Sequence, residues 1–413
     1  MASLKSSPCN KKWHIAIVGA GLSGTCLALL LAREQPEWNI LLLDTDLNKA
    51  APSSAGDDHR ASALSASTVD VFTTMGLWPS LAADAAEIVR IDVSDRGYKG
   101  AARLMAAEHN LDAYGHVVSN TGLKRTLDAA LSRFDNITQR KAQAPTRLVP
   151  EQDGMRLALA GERADLVVLA GGEHRALAEQ MGISFDYYDY ERTALVATLT
   201  MAKTHDGIAY EHFTAAGAIA LLPLSGGDGR QVSLVWTLPI DRAKEIEASA
   251  PECVIDILNV QLSRIGQVVA LEHVQSYPVK KIIADEQVRS HLLLLGNAAH
   301  LMHPVAGQGF NLSVRDMATL VELLSQAHAQ GNKLGNLGLL QRYESMRLRD
   351  QNRTIGLSDK LPKLFGMEQA LAVRTRSLGL MTLDLIPPLR HRFARLGAGL
   401  MTRRARLRGK SPF

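Results

Sequence analysis

Aromatic residues make up 5% of this chain of 413, and cysteine occurs three times. No window approaches the ~20 consecutive apolar residues that a bilayer-spanning helix needs. Each shortage narrows the field. Few aromatics disfavour a base-stacking platform for single-stranded nucleic acid, and no nucleic-acid reader motif is present. Cys9, Cys26 and Cys253 are scattered, with no metal-ligand spacing and no disulfide framework. That usage fits a reducing cytoplasm, with Cys26 packed as a small hydrophobe and no metal site expected. The first residues, MASLKSSPCNKK, lack the apolar core of a signal peptide and read as a disordered lead-in. There is no internal repeat and no low-complexity tract.

What remains is ordinary globular material: 46% hydrophobic and 21% charged, long enough for a large core in two lobes. The net charge of +4 is uneven. Residues 390–413 are rich in Arg and hold no acid, so the rest of the chain is net negative. This stretch interleaves Arg with Leu, Phe and Met. It suits anionic lipid or a partner surface, or is a frayed solvated tail.

Residues 13–24 read WHIAIVGAGLSG. A short β-branched run, His14 to Val18, leads into Gly19, Gly21 and Gly24 with G-x-G-x-x-G spacing. The first Gly permits the tight turn, the second lets backbone approach a pyrophosphate, and the third lets helix pack on strand. The next segment, Leu22 to Arg33, is nearly all apolar, as befits a helix buried against a sheet. A second strand, Asn39 to Leu43, ends at Asp44, 20 positions after Gly24. A carboxylate there can accept both hydroxyls of an adenosine ribose and disfavours a 2′-phosphate. The expected ligand is therefore FAD or NAD rather than NADP.

Residues 294–311, LLGNAAHLMHPVAGQGFN, carry the second signal. An apolar run stops at Gly296, a loop with two His, a Pro and two Gly follows, and a helical pattern runs from Leu312 to Leu324. A helix N-terminus delivered by such a loop exposes backbone N–H groups and partial positive charge. It suits a phosphate or the anionic edge of a reduced flavin; an ordinary strand–loop–helix turn has the same pattern.

Elsewhere, Leu166 to Ala170 is a buried strand closed by two Gly. Residues 45–60 read as loop, and Val69 to Leu77 as helix. Strand-like text at 193–201, 217–224 and 231–238, the last two joined by SGGDGR, predicts an antiparallel sheet at about 185–280. Residues 336–365 and 367–395 are helical in character, the latter interrupted by Pro387 and Pro388.

The fingerprint, the segment Asp58-His59-Arg60-Ala61-Ser62-Ala63-Leu64-Ser65, the block GNAAHLMHPVAGQGFNL, Val232 to Trp236 and Arg342-Tyr343-Glu344 together resemble the FAD-dependent aromatic hydroxylases of ubiquinone biosynthesis. The resemblance implies an α/β fold: a Rossmann-like FAD-binding domain of the p-hydroxybenzoate hydroxylase type, an inserted antiparallel-sheet substrate domain and a helical C-terminus. Expected boundaries are 12–84 with 110–180 and 281–330 for FAD binding, 85–109 with 181–280 for substrate, and 331–413 for the helical region with its basic tail.

It further implies FAD as cofactor, NADH or NADPH as a transient donor, and dioxygen activated as a flavin hydroperoxide that attacks the ring of a prenylated phenol. With no second glycine fingerprint, the donor would bind over the flavin without a domain of its own. An apolar tunnel between the lobes is expected. Gly307, Gln308, Gly309, Phe310 and Asn311 would set backbone N–H groups against the flavin pyrimidine edge. Gly296 and Asn297 would face the ribityl chain and pyrophosphate. Arg60 would pair with the cofactor or close over it, unless it is a solvated loop arginine.

His303 and Pro304 would line the loop nearest the flavin, with His303 shaping the oxygen pocket, aiding proton transfer or simply packing; His300 reads as structural. Tyr210, His212 and Trp236 lie on the substrate sheet but read as core or surface, and no residue identifies itself as the base for the phenol. The resembling family usually has Asp where this chain has Gly171, a departure that bears on donor binding, and the wider group of flavin hydroxylases usually has Asp where it has Asn297. Other expected associations are ubiquinone-biosynthesis proteins and a peripheral membrane contact through the basic C-terminus, at the inner face of the plasma membrane. Competing readings are a flavin-binding scaffold with weak turnover and another lipid-directed flavin epoxidase or reductase.

Overall fold

A computed structural model describes residues 12–44, 58–95, 101–141, 147–158, 161–214, 216–304, 307–365, 382, 386–401 and 403–407. The expected lead-in, most of the expected 45–60 loop and much of the expected 367–395 helical segment lie outside them.

A twisted sheet forms the first layer. Its order is Val288–Arg289, Leu292–Leu294, Glu162–Leu169, Lys12–Val18, Ile40–Asp44, Ile137–Lys141. Along this path all pairs are parallel except the first, and two further strands of the eight, Gly154–Ala158 on Glu162–Leu169 and Arg147–Glu151 beyond it, pair antiparallel. The strands read as continuous apolar runs because both faces are covered. Ile15 and Ile17 face one core with the helix Leu22–Glu34, while Ala16 and Val18 face another. Parallel strands put their carboxyl ends on one edge. There Gly19 follows Val18, Gly171 and Gly172 follow Leu169 and Ala170, and Gly296 follows Leu294 and Leu295. Three loops separated by nearly the whole chain thus share the edge where α/β sheets bind ligands.

A second sheet has eight strands, ordered His300–Leu301, Val268–Ala284, Phe185–Met201, Gln231–Pro239, Gly217–Pro223, Ile208–Thr214, Arg90–Asp95, Ala101–Met105. Two strands thus come from the 85–109 segment, and the His300–Leu301 edge strand ties the sheet to the Gly296 loop. The strands from 185 to 284 pair antiparallel, as expected, and Ile208–Thr214 pairs in parallel with Arg90–Asp95. Phe185–Met201 and Val268–Ala284 run 17 residues each, longer than their sequence patterns show, because bulges at 189–192 and 196–198 let them bend. A three-stranded sheet, Ala61–Ser65, Gly115–Ser119 and Ala86–Ile88, completes the framework.

The helix Gln308–Ala329 packs on the helix Leu22–Glu34 and is buried along most of its length. Beside it runs Leu337–Phe365, and a C-terminal helix spans Pro387–Gly397. Among the described residues no helix is long and apolar enough to cross a membrane.

Candidate functional site

The three fingerprint glycines have three separate mechanical reasons. Gly19 has φ +104°, and a Cβ there would lie 3.0 Å from the Gly171 nitrogen. At Gly24 a Cβ would lie 1.8 Å from the Gly19 carbonyl oxygen, so helix and strand touch backbone to backbone. A Cβ at Gly21 would meet nothing within 4 Å. Gly21 caps the helix Leu22–Glu34 with no side-chain cap bond and no acid in the first turn. Its surroundings are therefore open backbone at a positive helix end, suited to a phosphate. Asp44 stands at the end of its strand, and its Oδ2 accepts from the Ala20 N–H at 2.5 Å. It braces the turn while keeping acceptor capacity for a ribose.

The Gly296 loop meets this turn directly. Gly296 has φ +59°, and a Cβ on it would lie 2.9 Å from Ser23 Oγ. Asn297 is exposed on the same edge, with its carbonyl accepting from Arg175 at 3.0 Å. The departure at Gly171 has a local counterpart. The Glu173 carboxylate occupies the space a Gly171 side chain would enter, its Oε1 2.3 Å from the ideal Cβ position.

Below the loop lies a buried ionic cluster. His300 Nε2 meets Asp316 Oδ2 at 2.9 Å, Arg347 Nε donates to Asp316 Oδ1 at 2.5 Å, and Arg347 and Arg315 both donate to Asp350. Burial alone would raise the Asp316 carboxyl, but Arg347 and His300 hold it below the usual range. His300 is thus a structural strut between loop and helix, as its sequence context suggested.

The start of the helix Gln308–Ala329 carries the second signal. Gly307 is its cap in a left-handed conformation (φ +57°, ψ +28°), with no side-chain cap bond. Side chains here are committed to protein. Asn311 Oδ1 accepts from the Ser65 N–H and Thr68 Oγ1, and its Nδ2 donates to the carbonyls of Ala63 and Gly307. Gln308 donates to the Gly397 carbonyl, and Phe310 packs on Phe72. All five positions from Gly307 to Asn311 nevertheless line one large cavity. What they offer it is the backbone of a helix N-terminus.

That cavity holds about 890 Å³ between the sheets and the C-terminal helices. Its floor is one face of the second sheet: Val93, Ala209, Phe213, Ala218, Ala220 and Val235, with Glu211 and Thr237 among them. Small Ala side chains at four floor positions, counting Ala194, leave the room. Leu357, Leu361, Leu364, Leu389 and Phe393 form an apolar wall, so the expected tunnel has a physical counterpart. Pro304 and Arg60 line it. Arg60 chelates Asp58 through Nε and Nη2, both at 2.7 Å, and its guanidinium lies 4.7 Å from the Tyr277 ring centroid. Its side chain is 48% exposed and stands at the cavity wall, at the end of the loop before Ala61.

His303 lies in the core rather than at the cavity. It is buried beneath the loop, edge-on to Tyr190 with centroids 5.0 Å apart, and is absent from the cavity lining. Burial, reinforced by Arg192, lowers it to about 4, so it is neutral near pH 7. It packs against Tyr190, one of the roles its sequence left open, while Pro304, next in sequence, lines the cavity. Trp236 and His212 are buried on the second sheet, and neither lines the cavity. The residue that sequence reasoning missed is Glu211, between Tyr210 and His212. In an alternating strand it reads as a solvent-facing acid.

Comparison with known proteins agrees with this geometry. A family model described as an FAD binding domain matches residues 12–356. The chain is 33% identical to ubiquinone hydroxylase UbiL of Rhodospirillum rubrum, over 95% of this chain and 91% of that protein. It is 28% identical to 3-demethoxyubiquinol 3-hydroxylase of Escherichia coli, over 95% and 100%. Among solved structures, p-nitrophenol 4-monooxygenase PnpA of Pseudomonas putida superposes with a TM-score of 0.76 at 16% identity, covering 95% of this chain and all of that one, a likeness of fold.

Proposed function

The chain belongs to the FAD binding domain family, and from that premise we propose that it is an FAD-dependent monooxygenase that hydroxylates the aromatic ring of a prenylated phenol in ubiquinone biosynthesis. The observation that carries the reading is the meeting of two halves. The Gly19–Gly24 turn and the Gly296 loop share one edge, and the Gly307–Asn311 helix start opens on a large apolar cavity.

The residues present fit FAD. Open backbone at Gly21 and the uncapped helix behind it would hold the pyrophosphate, with Asp44 on the adenosine ribose. Gly296 and Asn297 would hold the ribityl side. Backbone from Gly307 to Asn311 would stabilise negative charge on the flavin pyrimidine, with Pro304 stiffening the approach. Bound FAD, reduced by NADH or NADPH, supplies the activation of dioxygen. The protein supplies orientation and exclusion of water. Leu357, Leu361 and Phe393 provide a dry wall for a ring and its prenyl chain. Arg60, locked on Asp58 and Tyr277, places a fixed cation at the cavity. Glu173 beside Gly171 restores an acid near the position where the resembling family carries one, which favours turnover over a scaffold role.

Leu364 and Leu389 line the cavity and are 38% and 44% exposed, so the cavity reaches the surface beside Ile386 and the Arg-rich C-terminal helix. This supports peripheral contact with anionic lipid as the route for a lipidic substrate. Other ubiquinone-biosynthesis proteins are proposed partners on the same footing.

Recording the flavin spectrum of the purified protein, then adding NADH or NADPH with and without a prenylated phenol, tests the proposal. Flavin reduction followed by a hydroxylated product is expected. Reduction that yields only hydrogen peroxide with every phenol would overturn it.

A further inference from the structure

The cavity floor contains one group that an apolar pocket would not be expected to keep. Glu211 lies on the strand Ile208–Thr214, paired with Ala220 on one side and Val93 on the other. Ala209 and Phe213 flank it on the same face, and all four neighbours line the cavity. Among the described residues that line the cavity, Glu211 is the one Asp or Glu. Its Oε1 is shut off from solvent, and among the described residues it has no hydrogen-bond partner and the side chain makes no ion pair. The residue is half-buried, and that surface opens on the cavity. A buried carboxyl without a partner is costly. A fold keeps such a group where a ligand supplies the missing partner.

We propose that Glu211 is the substrate subsite for the phenolic hydroxyl and takes its proton during ring hydroxylation. The inference rests on the hydroxylase reading above. The ligand class is a phenol O–H on a ring otherwise held by apolar contacts. In the step, the O–H bond breaks, its electron pair stays on the phenolic oxygen, and the proton passes to the Glu211 carboxylate. The oxygen-bearing ring is thereby made electron-rich at its ortho and para carbons. A ring carbon forms a C–O bond to one atom of dioxygen as the O–O bond breaks, the other atom leaves as water, and NADH or NADPH supplies the two electrons. When the ring regains aromaticity, the hydroxylated carbon loses its proton to water, and Glu211 returns its own proton to the phenolic oxygen.

Electrostatics support this role. Burial pushes the Glu211 carboxyl up to about 8, closer to a phenol than an ordinary carboxylate is. Sharing the cavity with it are the cations Arg60 and Lys280 and the phenols Tyr114, Tyr210 and Tyr277. Arg60 is held by Asp58, and Lys280 lies 3.3 Å from Asp189. On the neighbouring strand Arg90 pairs with Asp92, and His212 meets Ser94.

The test uses the full flavin-loaded chain and a phenol with a single isoprene unit at the ortho position. Two readouts are taken from pH 6 to 10: ultraviolet difference absorbance of bound phenolate, and hydroxylation rate. In the wild type both are expected to rise with a midpoint near 8. In Glu211→Gln the rate should fall at least tenfold and the limb near pH 8 should vanish, with flavin occupancy unchanged. A ring-fluorinated, more acidic analogue should recover part of the lost rate. Glu211→Asp, which keeps the acid but withdraws it by one methylene, should be intermediate and serves if the Gln variant does not fold. A Gln variant with the wild-type pH profile and phenolate band overturns the proposal, as does a wild type that binds no phenol. A wild type that binds and ionises the phenol at Glu211 without hydroxylating it would sink the enzymatic reading alone.

Discussion

Replacing Gly21 by Ala should separate folding from cofactor binding. Gly21 has φ −67° and ψ −172°, an extended conformation open to any L-residue, and its added Cβ meets no atom within 4 Å. Among the described residues nothing resists the methyl. Removing glycine entropy from the unfolded chain should then stabilise the apoprotein by about 0.4–1 kcal/mol. Binding should move the other way. The methyl stands where backbone must come within hydrogen-bond reach of a phosphate, and pushing the phosphate back forfeits a charge-assisted bond of about 1.5–3 kcal/mol. That is a roughly tenfold to hundredfold weaker FAD affinity. Gly24→Ala makes the contrast. Its Cβ would sit 1.8 Å from the Gly19 carbonyl oxygen, so helix and strand must part, at about 1–3 kcal/mol of stability. Urea unfolding of the apoproteins and calorimetric titration with FAD measure both quantities. A Gly21→Ala protein with wild-type flavin affinity, or a Gly24→Ala apoprotein as stable as wild type, would refute the assignment of these roles.

Three further outcomes follow from the packing. Asp316→Asn leaves Arg347 and Arg315 to share the one carboxylate of Asp350 within a buried cluster and should cost about 3–5 kcal/mol in a urea midpoint analysis; a loss below 1 kcal/mol would show the cluster to be dispensable. Ala220→Leu fills cavity space beside Glu211 and should raise the KM for a prenylated phenol at least tenfold while leaving FAD titration unchanged; unchanged KM would place the substrate elsewhere. His303 titrates near 4 when folded against 6.5 when free, so its contribution is present above pH 6.5 and is lost as pH falls toward 4. A His303→Gln protein should therefore show a flatter stability profile between pH 6.5 and 4, by up to about 3 kcal/mol, with little change in kcat near pH 7; a large kcat loss would return His303 to the chemistry.

The parts legible in sequence are those in which local chemistry and fold demand the same residue. The fold requires glycine for the tight turn at Gly19 and the backbone contact at Gly24, while Gly21 is required only by a ligand's approach, so the spacing reads as structure and ligand site together. The Gly307–Asn311 block was legible as a helix start, but the work of its side chains was not. Asn311 ties Ser65, Thr68 and Ala63 across more than 240 positions, a long-range bond that no local pattern encodes. His303 and Pro304 are adjacent in sequence yet differ in role because the turn divides them between core and cavity. Glu211 stayed hidden for a related reason. Alternation assigns a residue to a face, but it does not say whether that face meets solvent or encloses a cavity. Glu173 is similar, since only the fold reveals that its carboxylate fills the space beside Gly171.

Product analysis under labelled oxygen tests the central claim most directly. The flavin-loaded protein is given NADH or NADPH, an ortho-prenylated phenol and ¹⁸O₂, and the product is weighed by mass spectrometry. The account predicts one labelled oxygen on the aromatic ring, formed only with flavin bound. A protein that takes up no FAD, or one that consumes the nicotinamide and leaves the ring unlabelled with every prenylated phenol, would contradict it.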